Sequence, residues 1–236
     1  MSAAITTPPR VTTPPPLEPG DHLSGPEFLR RYAAMPEKRK AELIEGVVHM
    51  PSPVRADWHG GPHSGLMFWL TYYWAFTQGV WVYDNTTMRL DLANLPQPDA
   101  MLLILPRCGG RASIGTDGYV TRGAELIAEI TASSASIDLG TKMSMYRQHK
   151  VREYVVWRVL DQAIDWFVLH RSKYEPLVPD AQGILHSKTF PGLCLDPVAL
   201  MNFDLQAVLR LLQQGFATPE HAAFVAKLRQ AGSNKP

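Results

Sequence analysis

Two strand-length apolar runs, each carrying one carboxylate, constrain this chain more than any other feature. They are "DAMLLIL", opened by Asp99, and "AELIAEIT", with Glu129 near its end. Runs this short and this apolar read as strands buried on both faces, in a sheet flanked by helices. An ionised carboxylate among core-forming residues is costly unless it is paired or holds a cation. Side chains alternate across a strand, so Glu129 and Thr131 share a face. If the two strands are neighbours, Asp99 and Glu129 can share a hard cation through oxygen ligands. The plainer alternative is a strand-end aspartate and a salt-bridged glutamate, and spacing alone favours it.

After Thr131 the period changes. "SASIDLGTKMSMYRQHK" is helical, with Ser136 or Ser134 as N-cap. Asp138, Lys142 and Tyr146 recur every four residues and so lie on one helix face. An exposed Asp138–Lys142 pair would contribute about 0.3–0.5 kcal/mol. The other reading is that Lys142 reaches back to the carboxylates.

The remaining elements frame these two strands. "GPEFLRRYAAMPE" has helical spacing from Pro26, and "AELIEGVVHMPSP" reads as strand, turn or bulge at Gly46, strand. "RADWHGGPH" is a loop, and "SGLMFWLTYYWAF" is a helix apolar nearly all round. Either core burial or a homodimer interface would cover that helix, and both stay open. "GVWVYDNTTMRLDL" alternates as a half-exposed strand or hairpin, and the region around "CGGRASIGTDG" is a polar surface loop. "REYVVWRVL" and "AIDWFVLH" pair around a tight "DQ" connection. Two amphipathic helices follow Phe203, one capped by Asp204 and one opened by Thr218 and Pro219. The expected fold is α/β (α+β), a mixed central sheet with helices on its faces. The expected divisions are a disordered proline-rich tail over 1–25, a core domain over 26–203 and a helical extension over 204–236.

With 23 basic and 22 acidic residues the chain shows no overall bias towards a polyanion. A nucleic-acid partner would need a local basic patch, for which Arg147 and Lys150 in "RQHKVR" and the loop residues Arg107, Arg111 and Arg122 are candidates. Cys108 and Cys194 match no metal spacing and read as reduced thiols of a cytoplasmic protein. No membrane span is expected, nor a secretory signal in "MSAAITTPPRVTTPPPLEPG". No "GxSxG" elbow marks a hydrolase serine.

In order and residue type, "ELIEG", the histidine-bearing loop, "QPDA", "LIAEITASSASIDLGTK", "MSMY" and "VREYVVW" resemble the Uma family of restriction-endonuclease-like proteins, within the PD-(D/E)XK nuclease superfamily. The resemblance covers roughly residues 40–170 and is most specific from Asp99 to Trp157. Pro98, Asp99, Glu129, Asp138, Lys142 and Tyr146 match the family pattern, in which the lysine stands on the helix rather than at Thr131. The resemblance implies a restriction-endonuclease-like core and hydrolysis of DNA phosphodiester bonds. It also implies Mg²⁺ or Mn²⁺ held by Asp99, Glu129 and the Ile130 carbonyl, with catalytic roles for Lys142 and Glu45. Glu42 is the less favoured alternative to Glu45. Asp138 would position Lys142, Tyr146 would support the site, and Ser133 and Ser134 would shape the loop. His63 matches the family's histidine, with His59 as the alternative. The competing expectations are a nuclease-fold binding or assembly module without catalysis, and a metal-dependent hydrolase of another substrate.

Overall fold

The computed structural model describes residues 13–36, 40–51, 55–132 and 135–233. Helix α1 (Gly25–Ala34) is followed by β1 (Glu42–Ile44) and β2 (Val47–His49), which form an antiparallel hairpin. Its corner is Glu45 and Gly46, both with positive φ, 51° and 78°. A π-helical turn, Ala56–Gly60, runs directly into α2 (Gly61–Phe76). Strands β3 (Val80–Asp84), β4 (Met88–Arg89), β5 (Ala100–Ile104), β6 (Ser113–Ile114), β7 (Val120–Thr121) and β8 (Leu126–Thr131) come next. A continuous helical segment then comprises α3 (Ala135–Ile137), a second π-helical turn (Asp138–Lys142) and α4 (Met143–Gln148). Strands β9 (Glu153–Arg158), β10 (Ala163–His170), β11 (Lys173–Pro176), β12 (Leu185–His186) and β13 (Cys194–Leu195) follow. Helices α5 (Pro197–Met201), α6 (Leu205–Phe216) and α7 (Pro219–Ser233) end the described chain.

The central sheet has six strands in the order β11-β10-β9-β8-β5-β3. Only β8 and β9 run parallel, joined across one face by α3 and α4. The β5–β8 register pairs Ala100 with Ala128, so the antiparallel ladder carried one step further sets Asp99 opposite Glu129.

Strand alternation sorts the core into two layers. Leu102, Ala128 and Ile130 pack with Trp69, Leu70 and Tyr73 of α2. Met101, Ile127 and Val156 pack on the opposite face with Met145 and Tyr146 of α4. Trp69 and Tyr73 are fully buried. Each aromatic of that size removes 150–250 Å² from water, worth about 4–6 kcal/mol as an upper figure before entropy. The outer side of α2 is covered within the chain: Tyr72 and Tyr73 meet the Phe216 ring of α6 at 5.9 Å each. Val208, Leu212 and Leu228 of the C-terminal helices belong to the same core layer as α2. Burial in the chain itself therefore accounts for the apolar helix, which carries no argument for a dimer.

Three local expectations change. "GVWVYDNTTMRLDL" is no hairpin: Asn85 turns the chain with a φ of 43°, β3 stays at the edge of the large sheet, and β4 joins β7 and β6 in a separate small sheet. That sheet draws its middle strand, β7, and one outer strand, β6, from the region expected to be a polar loop. Packing also reaches back beyond Pro26, because Leu17 is buried beside Phe28 and Leu43 and His22 bridges to Val47. The cause is that Leu17 and Leu23 are large apolar side chains, and the hairpin and α1 offer them a surface to pack on. Finally, α3 begins at Ala135, which puts Ser136, one of the two expected caps, inside the helix, and the other, Ser134, lies outside the described residues. Among the described residues, no helix is long and apolar enough to cross a membrane.

Candidate active site

Asp99 and Glu129 stand side by side on the face that α4 covers, both buried. The backbone N–H of Ile130 donates to Asp99 Oδ2 at 2.8 Å, and Lys40 Nζ donates to Oδ1 at 2.9 Å. Glu129 Oε1 accepts from Lys142 Nζ at 3.0 Å and from the Tyr146 hydroxyl at 2.8 Å. Lys142 and Tyr146 thus share the helix face their spacing implies, and that face is turned onto Glu129.

Lys142 is not part of an exposed pair. Its Nζ lies 3.0 Å from Glu129 Oε1, 3.1 Å from Glu42 Oε2 and 3.6 Å from Asp138 Oδ1, and its side chain is 6% exposed. It closes the π-helical turn that Asp138 opens. Such wide turns recur at functional sites, where the extra residue re-aims a side chain. The earlier π-helical turn, Ala56–Gly60, holds His59, and both turns border the same pair of carboxylates.

Of the two upstream glutamates, Glu42 rather than Glu45 lies in the cluster. Glu45 sits at the hairpin corner with its left-handed backbone and is exposed. Glu42 is inside β1, two residues before Ile44, so alternation points both into the α4 layer while Leu43 faces α1. Its Oε1 accepts the Gln97 N–H at 2.6 Å.

Both candidate histidines reach the site. Their rings stack at 5.7 Å with planes 8° apart. His63 Nε2 lies 3.1 Å from the Asp99 carbonyl and 3.0 Å from Asp84 Oδ1, whereas His59 Nε2 lies 3.6 Å from the Asp99 carboxylate itself. Burial lowers the His59 pKa; Asp99 opposes this, Lys40 and His63 add to it, and a hydrogen bond to Ile130 opposes it.

Four carboxylates, Glu42, Asp99, Glu129 and Asp138, surround two ammonium groups, Lys40 and Lys142, an excess of two negative charges when all are ionised. Glu129 carries the strain of that excess: burial pushes it up to about 8, with Lys142 opposing and Asp99, Asp138 and Glu42 adding. Burial also raises Asp99, but Lys40 and His59 outweigh it and hold the carboxyl below its usual range. Burial pulls Lys142 down, yet Glu129, Glu42 and Asp138 outweigh it and keep the ammonium charged.

The pattern of the Uma2 family, described as "Putative restriction endonuclease", matches residues 26–198. The chain belongs to the Uma2 family. Its fold is similar to that in the crystal structure of "a putative nuclease belonging to DUF820" from Anabaena variabilis, with a TM-score of 0.60 and 16% identity over 77% of this chain and 98% of that one. At that identity the likeness is one of fold. No curated protein matches the chain.

Several candidates in this Uma2 chain lie away from the carboxylates. Arg147 Nη1 donates to the Ser172 carbonyl and Lys150 Nζ to the Ser172 hydroxyl, beside the turn between β10 and β11. Arg111 bonds the carbonyls of His149 and Lys150. Arg107 follows the end of β5 and Arg122 precedes the start of β8, so all five sit at the opposite end of the sheet from Asp99 and Glu129. A parallel crossover requires this: α4 starts over the end of β8 and must return to the start of β9. Ser133 and Ser134 lie outside the described residues.

Sequence reasoning missed Lys40, Asn85 and Gln97. Lys40 had a signal: it lies two residues before Glu42, so an extended chain puts both on one side. Asn85 Oδ1 accepts from Lys40 at 3.1 Å, and Gln97 Nε2 donates to the Asn85 carbonyl at 2.6 Å. Gln97 Oε1 is buried without a hydrogen-bond donor among the described residues.

Proposed function

We propose that this protein is a metal-dependent endonuclease that hydrolyses DNA phosphodiester bonds. The observation that carries the reading is the pairing of Asp99 and Glu129 across β5 and β8, inside a cluster with two more carboxylates than ammonium groups.

The donor set suits Mg²⁺ or Mn²⁺ in chemistry. Its ligands are hard oxygens, its charge excess with every carboxylate ionised equals that of one divalent ion, and Gln97 Oε1 is an acceptor that a metal-bound water would satisfy. Among the described residues, no group of three or more His, Cys, Asp or Glu is arranged to hold a metal. Mg²⁺ commonly takes only one or two protein carboxylates and keeps its waters, so a two-carboxylate site is consistent with that ion. Asp99, Glu129 and the Ile130 carbonyl would hold it. When bound, the ion supplies a water of lowered pKa and polarises the phosphate.

The chain's own groups prepare the site. The Ile130 N–H fixes Asp99 Oδ2, and Lys142 and Tyr146 fix Glu129 Oε1. The stacked histidines pack beside Asp99. DNA would contact this end of the sheet, leaving Arg147 and Lys150 remote.

A second reading, a nuclease-fold binding module without catalysis, is favoured by one observation: each of the two central carboxylates already has a lysine partner. Calorimetry with Mn²⁺ or Mg²⁺ on the wild type and Asp99→Ala, with plasmid nicking on the same samples, separates the readings. Metal binding that vanishes with Asp99, together with metal-dependent nicking, supports the nuclease. Absence of binding at millimolar metal overturns it.

A further inference from the structure

We infer that the lysine that meets the scissile phosphate is Lys40, and that Lys142 is a positioning residue for Glu129 and Glu42; this rests on the nuclease reading above.

An ammonium group has three N–H donors. Those of Lys142 face three carboxylates at 3.0, 3.1 and 3.6 Å, in a setting where 6% of the side chain is exposed. Turning Lys142 towards a substrate would take the ammonium away from the buried Glu129 and Glu42, the costly way to break a buried ionic cluster. Its burial and its three partners describe a fixed strut.

Lys40 is placed differently. Its Nζ has two acceptors among the described residues, Asp99 Oδ1 at 2.9 Å and Asn85 Oδ1 at 3.1 Å, and the side chain is 28% exposed. Asn85 stands at the end of β3, held there by its left-handed backbone and by Gln97. One neutral and one charged acceptor fix the Nζ at the edge of the cluster while leaving a donor direction towards solvent. Because Nζ is within hydrogen-bond distance of an Asp99 oxygen, a phosphate oxygen drawn to the Asp99 corner comes within reach of it. Among the described residues Lys40 forms an ion pair with one carboxylate and Lys142 with three, so a second anion finds less competition at Lys40.

The alternative is that Lys40 only neutralises Asp99, and the test must tell contact with substrate from support of the carboxylate. Lys40→Ala, Lys40→Arg and Lys142→Met are compared with the wild type in four measurements. These are plasmid nicking at saturating DNA with Mn²⁺, Mn²⁺ affinity by calorimetry, thermal unfolding, and the salt dependence of binding a duplex oligonucleotide in metal-free buffer. For Lys40→Ala the nicking rate is expected to fall about 10²–10³-fold, the size of a lost transition-state donor. Its Mn²⁺ affinity should be unchanged or tighter, its melting temperature close to wild type, and its salt slope shallower by about one contact. Lys40→Arg should restore the slope and part of the rate. Lys142→Met should lower the melting temperature sharply and, where it folds, keep the wild-type salt slope.

Lys40→Ala nicking at the wild-type rate, or losing its rate only in step with Mn²⁺ affinity, overturns the assignment while the nuclease reading stands. A wild-type protein that neither nicks plasmid nor binds the oligonucleotide overturns both.

Discussion

The backbone N–H of Ile130 donates to Asp99 Oδ2 at 2.8 Å, so the strand that carries one carboxylate of the site also orients the other. Glu129 and Asp99 are coupled through one peptide unit, and a change at either is felt on both strands. The arrangement is stiff because β8 has a strand on each side of it.

Asp99→Asn keeps an acceptor for the Ile130 N–H but removes the charge. It is expected to fold, to lose calorimetric Mn²⁺ binding, and to lose plasmid nicking by at least about 10²-fold. Nicking at wild-type levels would show that the hydrolytic centre lies elsewhere.

Glu129 sets a pH dependence. Its value rises from 4.5 to about 8 on folding, so between those values the native state holds a proton that the unfolded chain has released. Stability of the metal-free protein should therefore fall as pH rises through that window, and Glu129→Gln should remove the slope. Urea unfolding at about pH 5 and about pH 9 measures it. Because the metal must displace the same proton, Mn²⁺ affinity should rise with pH up to about 8 and level off above it.

Glu42 and Glu45 give opposite results. Glu45→Ala removes an exposed side chain and should change stability by less than about 0.5 kcal/mol, with nicking retained. Glu42→Ala leaves the Gln97 N–H without its acceptor and takes a partner from Lys142. A loss of about 1–3 kcal/mol is expected, with nicking strongly reduced. Equal behaviour of the two variants would contradict the geometry of the hairpin.

Arg147→Ala and Lys150→Ala test the remote basic cluster. Their hydrogen bonds run to Ser172, so both variants should keep nicking and oligonucleotide affinity within about twofold of wild type. A drop in the salt slope of DNA binding would place DNA at that end of the sheet after all.

The C-terminal helices are part of the core rather than an appendage. Leu212→Ala opens a cavity beneath α2 and should cost about 2–5 kcal/mol, read as a lower denaturation midpoint.

Period alone made several things legible. Apolar runs bounded by turns marked β5 and β8 as buried strands, and four-residue spacing put Asp138, Lys142 and Tyr146 on one helix face. The two helices after Phe203, the amphipathic character of the first and its Asp204 cap were equally readable, since a cap is a contact between residues three apart and Asp204 accepts from the Ala207 N–H. These properties are local: the backbone dihedrals of a strand or helix determine which neighbours share a face.

What lies beyond that range was decided by tertiary structure. The register of β5 against β8 brings Asp99 to Glu129 across about thirty residues of chain, and no spacing rule encodes it. The choice of Glu42 over Glu45 followed from where the hairpin turns, a matter of one residue that reverses the side chain's direction. The return of α4 to the start of β9 carried Arg147 and Lys150 to the far end of the sheet, although they follow Lys142 closely in sequence. Lys40 became visible only when the approach to β1 was folded against Asn85 and Asp99. The sequence by itself determined the buried strands β5 and β8, the helix face of Asp138, Lys142 and Tyr146, and the family pattern. Tertiary packing decided which cation meets which carboxylate, because buried charges are settled by distance and solvent access across the fold, and neither is a property of neighbouring residues.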